Sequence, residues 1–149
     1  MCVDKIINLV VDLKCDIKRA YELFTKKNEL ETWLCVIAEV EMFPGGQYEL
    51  FWDPQDRENN STIGCKITAL EANQFICFEW KSPKQYKQFA NNADPLTHVV
   101  IFFQPSELGT VVRLIHTGWR SAAEWEDARS WQEKAWSIAF SGLEQQINK

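Results

Sequence analysis

Along most of the chain apolar residues recur at every second position, and in a few places the period lengthens to that of a helix. In "INLVVDLKC" Val11 and Leu13 alternate with Asp12 and Lys14, a strand pattern. Asp16 is placed to cap a short helix in which Ile17, Ala20, Tyr21 and Phe24 fall at i, i+3, i+4 and i+7. Asn28 with Glu31 gives a second cap-like start, and Leu30, Trp33 and Leu34 form its stripe. The pattern predicts two short helices joined by "TKKN". The period of two then returns. "VIAEVEMF" and "QYELFWD" flank "PGG", "TIGCKITAL" and "FICFEWK" flank "EANQ", and "LTHVVIFFQP" and "GTVVRLIHTGW" make a hairpin through "SELG". "PQDRENNS" reads as a polar turn and "SPKQYKQFANNADP" as a longer loop. Six strands with hairpin-length connections predict a meandering antiparallel sheet after the helices.

The final segment is helical without ambiguity. "SAAE" at 121–124 has the form of a capping box, Ser121 at the N-cap and Glu124 three residues on. From there to Asn148 there is no proline, and the helix would run about 40 Å at about 1.5 Å per residue. Trp125, Trp136, Ala139, Leu143 and Ile147 share one face, flanked by Ala128, Ala135 and Phe140. Glu126, Ser130, Glu133, Ser137, Ser141 and Glu144 oppose it. Gln132 lies in the middle of the apolar face. A second polar intrusion is His116, which continues the row of Val112 and Leu114.

Composition narrows the picture. The 149 residues fit one domain, which can bury about 70% of its unfolded surface without a staple. Seven Trp, nine Phe and three Tyr can fill a large core or line an apolar cavity, and composition does not separate the two. The net charge of −5 argues against a nucleic-acid partner. The densest basic run, Lys81, Lys84 and Lys87, reads as a solvated loop. Five cysteines at 2, 15, 35, 65 and 77 include no CxxC, so neither a disulfide framework nor a zinc site is suggested; Cys65 and Cys77 read as small core residues. The N-terminal residues show no signal peptide or membrane span, so the expected location is cytoplasmic.

The order of strand, two short helices, six strands and one long helix resembles the SRPBCC superfamily, whose members are START-related and birch-pollen-allergen-like. Within it the chain resembles the branch named for the C-terminal domain of the heat-shock-protein-90 ATPase activator. The resemblance rests on "CDIKRAYELFTKKNELETWL", "FPGGQYEL", Gly64 opening a strand, "FICFEW", "GTVVRLIHTGW" and "AWSIAFSGLEQQI", and spans nearly the whole chain as a single domain, 1–149. It implies an α+β helix-grip fold: a curved seven-stranded antiparallel sheet wrapped around the long C-terminal helix, with two short helices after the first strand and a cavity between sheet and helix. Two departures stand out. Ala135–Trp136 replaces the family's common Gly-Trp, which would set the helix slightly farther from the sheet. The extra N-terminal domain of the chaperone activators is absent from this sequence, which argues against co-chaperone activity.

In that fold Tyr48, Leu50 and Trp52, then Val99, Ile101 and Phe103, then Val112, Leu114 and His116 would turn toward the helix. Trp119 would lie near the helix start, Trp33 would belong to the short-helix gate, and Trp136 would face inward from the helix. One reading makes these residues, with Gln132, an aromatic-lined pocket for an apolar or aromatic small molecule. The other makes the aromatics ordinary core. His116 and Gln132 would be the polar end of the pocket, bonded to each other, to water or to a ligand. A catalytic role for His116 lacks a partner: there is no Ser/His/Asp pattern and no phosphate loop, and Glu39 and Glu79 should point outward. No catalytic or metal-binding residue and no cofactor is assigned, since His98 lies on the opposite strand face from His116. Val100, Phe102 and Val111 are apolar on the outer face, where they could pair two copies of the chain. Three functions are open, in this order: a small-molecule binding protein, a protein-interaction module related to chaperone activators, and a minor enzymatic activity in the pocket.

Overall fold

A computed structural model describes residues 5–149; Cys2 lies outside them. The chain folds as β1 (Ile7–Leu13), α1 (Ile17–Thr25), α2 (Lys27–Trp33), β2 (Ile37–Val40), β3 (Tyr48–Phe51), β4 (Ile67–Glu71), β5 (Phe75–Trp80), a 3-10 turn (Lys84–Tyr86), α3 (Lys87–Ala90), β6 (Thr97–Pro105), β7 (Thr110–Thr117) and α4 (Ala123–Ile147). The seven expected strands are all present and antiparallel. They divide into a five-stranded sheet, β1-β7-β6-β5-β4, and a two-stranded sheet, β2-β3. Two single bridges lie between them: Gln47 with Lys66 leads from the start of β3 to the start of β4, and Phe51 with Ser61 ties the end of β3 to the chain that precedes β4. The "PGG" turn completes that join: the Gly45 N–H donates to the Ile67 carbonyl (2.7 Å) and the Ile67 N–H donates to the Gly46 carbonyl (2.8 Å). Gly45 has φ +89°, and a Cβ on Gly46 would lie 2.2 Å from the Glu41 carbonyl oxygen, so both positions require glycine. No helix among the described residues is long and apolar enough to cross a membrane.

Alternation fixes the register. Along β7 Val112, Leu114 and His116 are buried, and opposite them on β6 so are Phe103, Ile101 and Val99. Into the trough formed by that inner face drops the buried edge of α4, with Trp125, Ala128, Gln132, Trp136, Phe140 and Leu143. Phe24 of α1 closes the far end, edge-on to Trp33, Phe103 and Phe140 at 4.9, 5.5 and 6.1 Å. Tyr48 stacks on Phe78 at 4.0 Å and donates its hydroxyl to the Phe24 carbonyl (2.6 Å).

Several local expectations need correcting. Asp16 caps α1 by accepting from the Arg19 N–H (2.9 Å). Asn28, however, lies inside α2, whose N-cap is Lys26, so a single residue separates the two short helices. Ser121 is not the cap of α4. Ala122 holds that position without a side-chain hydrogen bond, because Arg120 fixes the chain's entry instead, donating to the carbonyls of Gly118 and Pro95 (both 2.6 Å). The strand expected from Thr62 begins only at Ile67, since Gly64 turns the chain at φ +86°. The loop after β5 contains the 3-10 turn and α3, and Phe89 and Tyr86 pack on Trp125 and Trp131 of α4 at 5.1 and 6.3 Å. Cys65 is a core residue as expected, whereas Cys77 is half-buried on the outer sheet face; burial pushes the Cys65 thiol up to about 12.

Candidate functional site

One cleft of about 330 Å³ opens where the middle of α4 passes the end of β5. Its helix wall is Trp131, Gln132, Ala135, Trp136 and Ala139. Across from it stand Trp80 and Lys81 at the end of β5, Leu34 after α2 and Trp52 after β3. Asn60, Ser61, Pro83 and Gln85 frame the mouth. Trp80 meets Trp136 at 4.8 Å and Trp52 at 6.0 Å, so three indoles form a continuous wall, with Trp131 on the same helix. Two of the four line the floor buried, while Trp52 and Trp131 are 38% and 41% exposed at its rim.

Of the residues expected to form a pocket, the structure brings Trp52, Gln132 and Trp136 to this cleft. Tyr48, Leu50, Val99, Ile101, Phe103, Val112, Leu114 and Trp119 lie instead in the packed core, where α4 and α1 fill the inner sheet face. Trp33 packs on Phe24 and donates its N–H to the Leu23 carbonyl (2.8 Å), part of the same core margin. The cleft residues not expected to line a pocket include Trp80, Trp131, Leu34, Lys81 and Ala139, although Leu34 and Ala139 lie on apolar helix stripes that the sequence shows. Trp80 has a signal, since Ile76, Phe78 and Trp80 alternate inward along β5. Trp131 has none: it lies beside the apolar stripe of α4, and Tyr86 approaches it from a segment whose sequence reads as featureless.

The two inward polar residues are not bonded to each other. His116 is wholly buried. Its Nδ1 accepts from the Trp136 Nε1–H (3.1 Å), and its Nε2 lies 3.0 Å from the Thr97 Oγ1. An indole N–H can only donate, so Nδ1 carries no proton; the Nε2–H donates to Thr97, whose hydroxyl reaches the Trp80 carbonyl (3.5 Å). Burial holds the His116 imidazole down at about 3, keeping it neutral. No carboxylate is among its hydrogen-bond partners. Gln132 is 4% exposed, and its Oε1 accepts from the Trp80 Nε1–H (3.1 Å). His98 sits on the outer face against the Thr68 hydroxyl (2.6 Å). Glu79 accepts from the Lys66 N–H, and Glu39 pairs with Arg57 at 3.6 Å. Among the described residues no three His, Cys, Asp or Glu side chains are placed to hold a metal ion. The arrangement offers binding surface, two partly open indoles and an amide, without an assembled acid–base pair.

On the outer face, Phe102 is 40% exposed beside half-buried Val100, and Val111 is half-buried next to Asp12 and Gln104.

The fold recurs in solved structures of low sequence identity. The protein MLL2253 from Mesorhizobium loti superposes with a TM-score of 0.76 at 16% identity, covering 97% of each chain. The Aha1 dimer from Colwellia psychrerythraea gives 0.74 at 16% identity, covering 96% of each. DynU16, a putative protein of the dynemicin biosynthetic locus, gives 0.72 at 10% identity over 99% of this chain and 48% of its own. No curated protein sequence matches the chain significantly. The family model described as Activator of Hsp90 ATPase homolog 1-like protein matches residues 14–148. Strand order, C-terminal helix and family match agree, and the chain belongs to the Activator of Hsp90 ATPase homolog 1-like family.

Proposed function

We propose that the chain is a cytoplasmic binding protein for an apolar or aromatic small molecule, held in the cleft between α4 and the end of β5. The observation that carries this reading is the convergence of Trp52, Trp80, Trp131 and Trp136 on one opening of about 330 Å³, within the size range of ligand pockets. Indoles left at a solvent-accessible cleft expose apolar surface that a flat ligand would cover, at about 25 cal/mol per Å² buried. The described cysteines, 15, 35, 65 and 77, are free thiols, in keeping with a reducing compartment. Native mass spectrometry of the purified protein should show a co-purifying small molecule. Replacing Ala135 with Phe, which fills the cleft from the helix side, should remove it while leaving the thermal melting cooperative. Absence of any adduct, with no thermal shift across a panel of aromatic and lipid-like compounds, would count against the reading.

A second reading is supported by a different observation. Val10 (54% exposed) and Phe102 lie on the same outer sheet face, each paired in register with Arg113 of β7. Such a face suits self-association through Val100, Phe102 and Val111, and the Colwellia relative is described as a dimer. Light scattering across a hundredfold range of concentration should then show the mass doubling, and Phe102→Glu should keep the chain monomeric. A constant monomeric mass would set this reading aside.

A further inference from the structure

On its floor the cleft's hydrogen-bonding capacity is one-sided, and that constrains its ligand. Gln132 is almost wholly buried, and the Trp80 N–H it meets can only donate. The amide oxygen therefore faces Trp80, and the amide hydrogens occupy the opposite end, with no partner among the described residues. Asn60 repeats the pattern at the mouth: its Oδ1 accepts from the Lys84 backbone N–H (2.9 Å), which leaves its NH2 as the unbonded end. Of the other polar side chains, Gln85 stands exposed at the mouth, and three are used elsewhere. Trp52 donates to the Leu34 carbonyl (2.7 Å), Trp136 to His116, and the Ser61 hydroxyl to the Arg57 carbonyl (2.5 Å). The single ionisable side chain of the lining is Lys81, which makes no ion pair among the described residues. The cleft thus holds the amide donors of Gln132 and Asn60, the exposed amide of Gln85 at its mouth and one cationic side chain, Lys81, whose ammonium lies beside Gly64, with no carboxylate in the lining.

We propose that the ligand is an amphipathic anion, a carboxylate carried on a flat apolar body, with its oxygens received by the Gln132 amide hydrogens and Lys81. This rests on the cleft being a ligand site and names the class of ligand. The Gln132 amide nitrogen is not among the buried polar atoms left without a partner, so water reaches its hydrogens in the open cleft; a carboxylate takes the place of that water with charge-assisted bonds about twice as strong as neutral ones, which an apolar or cationic group does not offer. The volume lies at the small end of the range for ligand pockets, which suits a bicyclic body rather than a long alkyl chain. Aromatic acids and short fatty acids share the carboxylate, and the tryptophan walls favour the former.

Isothermal titration calorimetry at pH 7.5 with 2-naphthoate, 2-naphthylmethanol, 2-naphthylmethylammonium and octanoate tests the proposal. 2-Naphthoate should bind about tenfold more tightly than the alcohol, and the ammonium more weakly than either. Lys81→Met should weaken 2-naphthoate by roughly fivefold to tenfold and leave the alcohol unchanged. Gln132→Glu keeps an oxygen for the Trp80 N–H and replaces the donor with an acceptor, so it should lose 2-naphthoate and gain the ammonium; circular dichroism confirms its fold. Equal affinity for the three naphthalene probes would overturn the carboxylate while leaving the cleft a ligand site. So would an unchanged preference in both variants. Binding of none would overturn both readings. Octanoate binding as tightly as 2-naphthoate would contradict the flat body.

Discussion

His116 and Gln132 interrupt apolar rows for the same physical reason. Each receives the N–H of a tryptophan that would otherwise be buried without an acceptor, Trp136 for His116 and Trp80 for Gln132. The sequence shows the intrusions plainly and suggests that they pair with each other. It cannot show which of seven indole N–H groups turns toward which row, because that depends on how α4 is rotated against β5 and β7. Replacing His116 with Leu strands the Trp136 N–H, and should cost about 1–3 kcal/mol in urea denaturation at pH 7.5. The pH dependence derives from the imidazole's depressed pKa. Its proton is bound in the unfolded chain below about 6.5 and in the folded chain only below about 3. This stability is therefore complete above pH 6.5 and declines by about 1.4 kcal/mol per unit as the pH falls toward 3. The gap between wild type and His116→Leu should narrow by about 2–3 kcal/mol between pH 7.5 and 4.5. A gap independent of pH would show that His116 is not held neutral in the fold.

Among the elements, strands are legible wherever one face meets the core. Val99, Ile101 and Phe103 alternate inward as the period of two requires, and the hairpin through "SELG" closes with the Ser106 N–H on the Gly109 carbonyl (3.0 Å). Ends are less legible, because caps depend on tertiary neighbours. Asp16 and Ser121 look alike in sequence, yet Asp16 accepts a backbone N–H and Ser121 stands exposed outside α4. Asp16→Ala should cost about 1 kcal/mol, and Ser121→Ala less than about 0.5 kcal/mol, in the same denaturation assay. Equal losses would mean that Ser121 caps α4 after all. The lysine run at 81, 84 and 87 has the local pattern of a solvated loop. Lys81 instead lines the cleft, and Lys87 donates to Asn59 (2.7 Å), tying this segment to the loop after β3. Neither contact leaves a trace in local sequence, since both cross to distant parts of the chain.

For the molecule as a whole, order and spacing of the elements carry the fold, and the family match over residues 14–148 agrees with it. What they do not carry is where the fold stays open. The helix-grip trough is filled along most of its length by Phe24, Tyr48, Phe78 and Trp136, so most inward aromatics are core. The cleft survives toward the end of β5, where Ala135 and Ala139 are too small to reach across to Trp80 and Leu34. The seven tryptophans therefore divide into two groups. Trp52, Trp80, Trp131 and Trp136 line the cleft, whereas Trp33, Trp119 and Trp125 pack elsewhere. Seven indole N–H resonances in a ¹H–¹⁵N spectrum can be followed while 2-naphthoate is added. The account predicts that the four cleft signals shift together and saturate while the other three stay in place. Shifts confined to Trp33, Trp119 and Trp125, or no shifts at millimolar ligand, would contradict it.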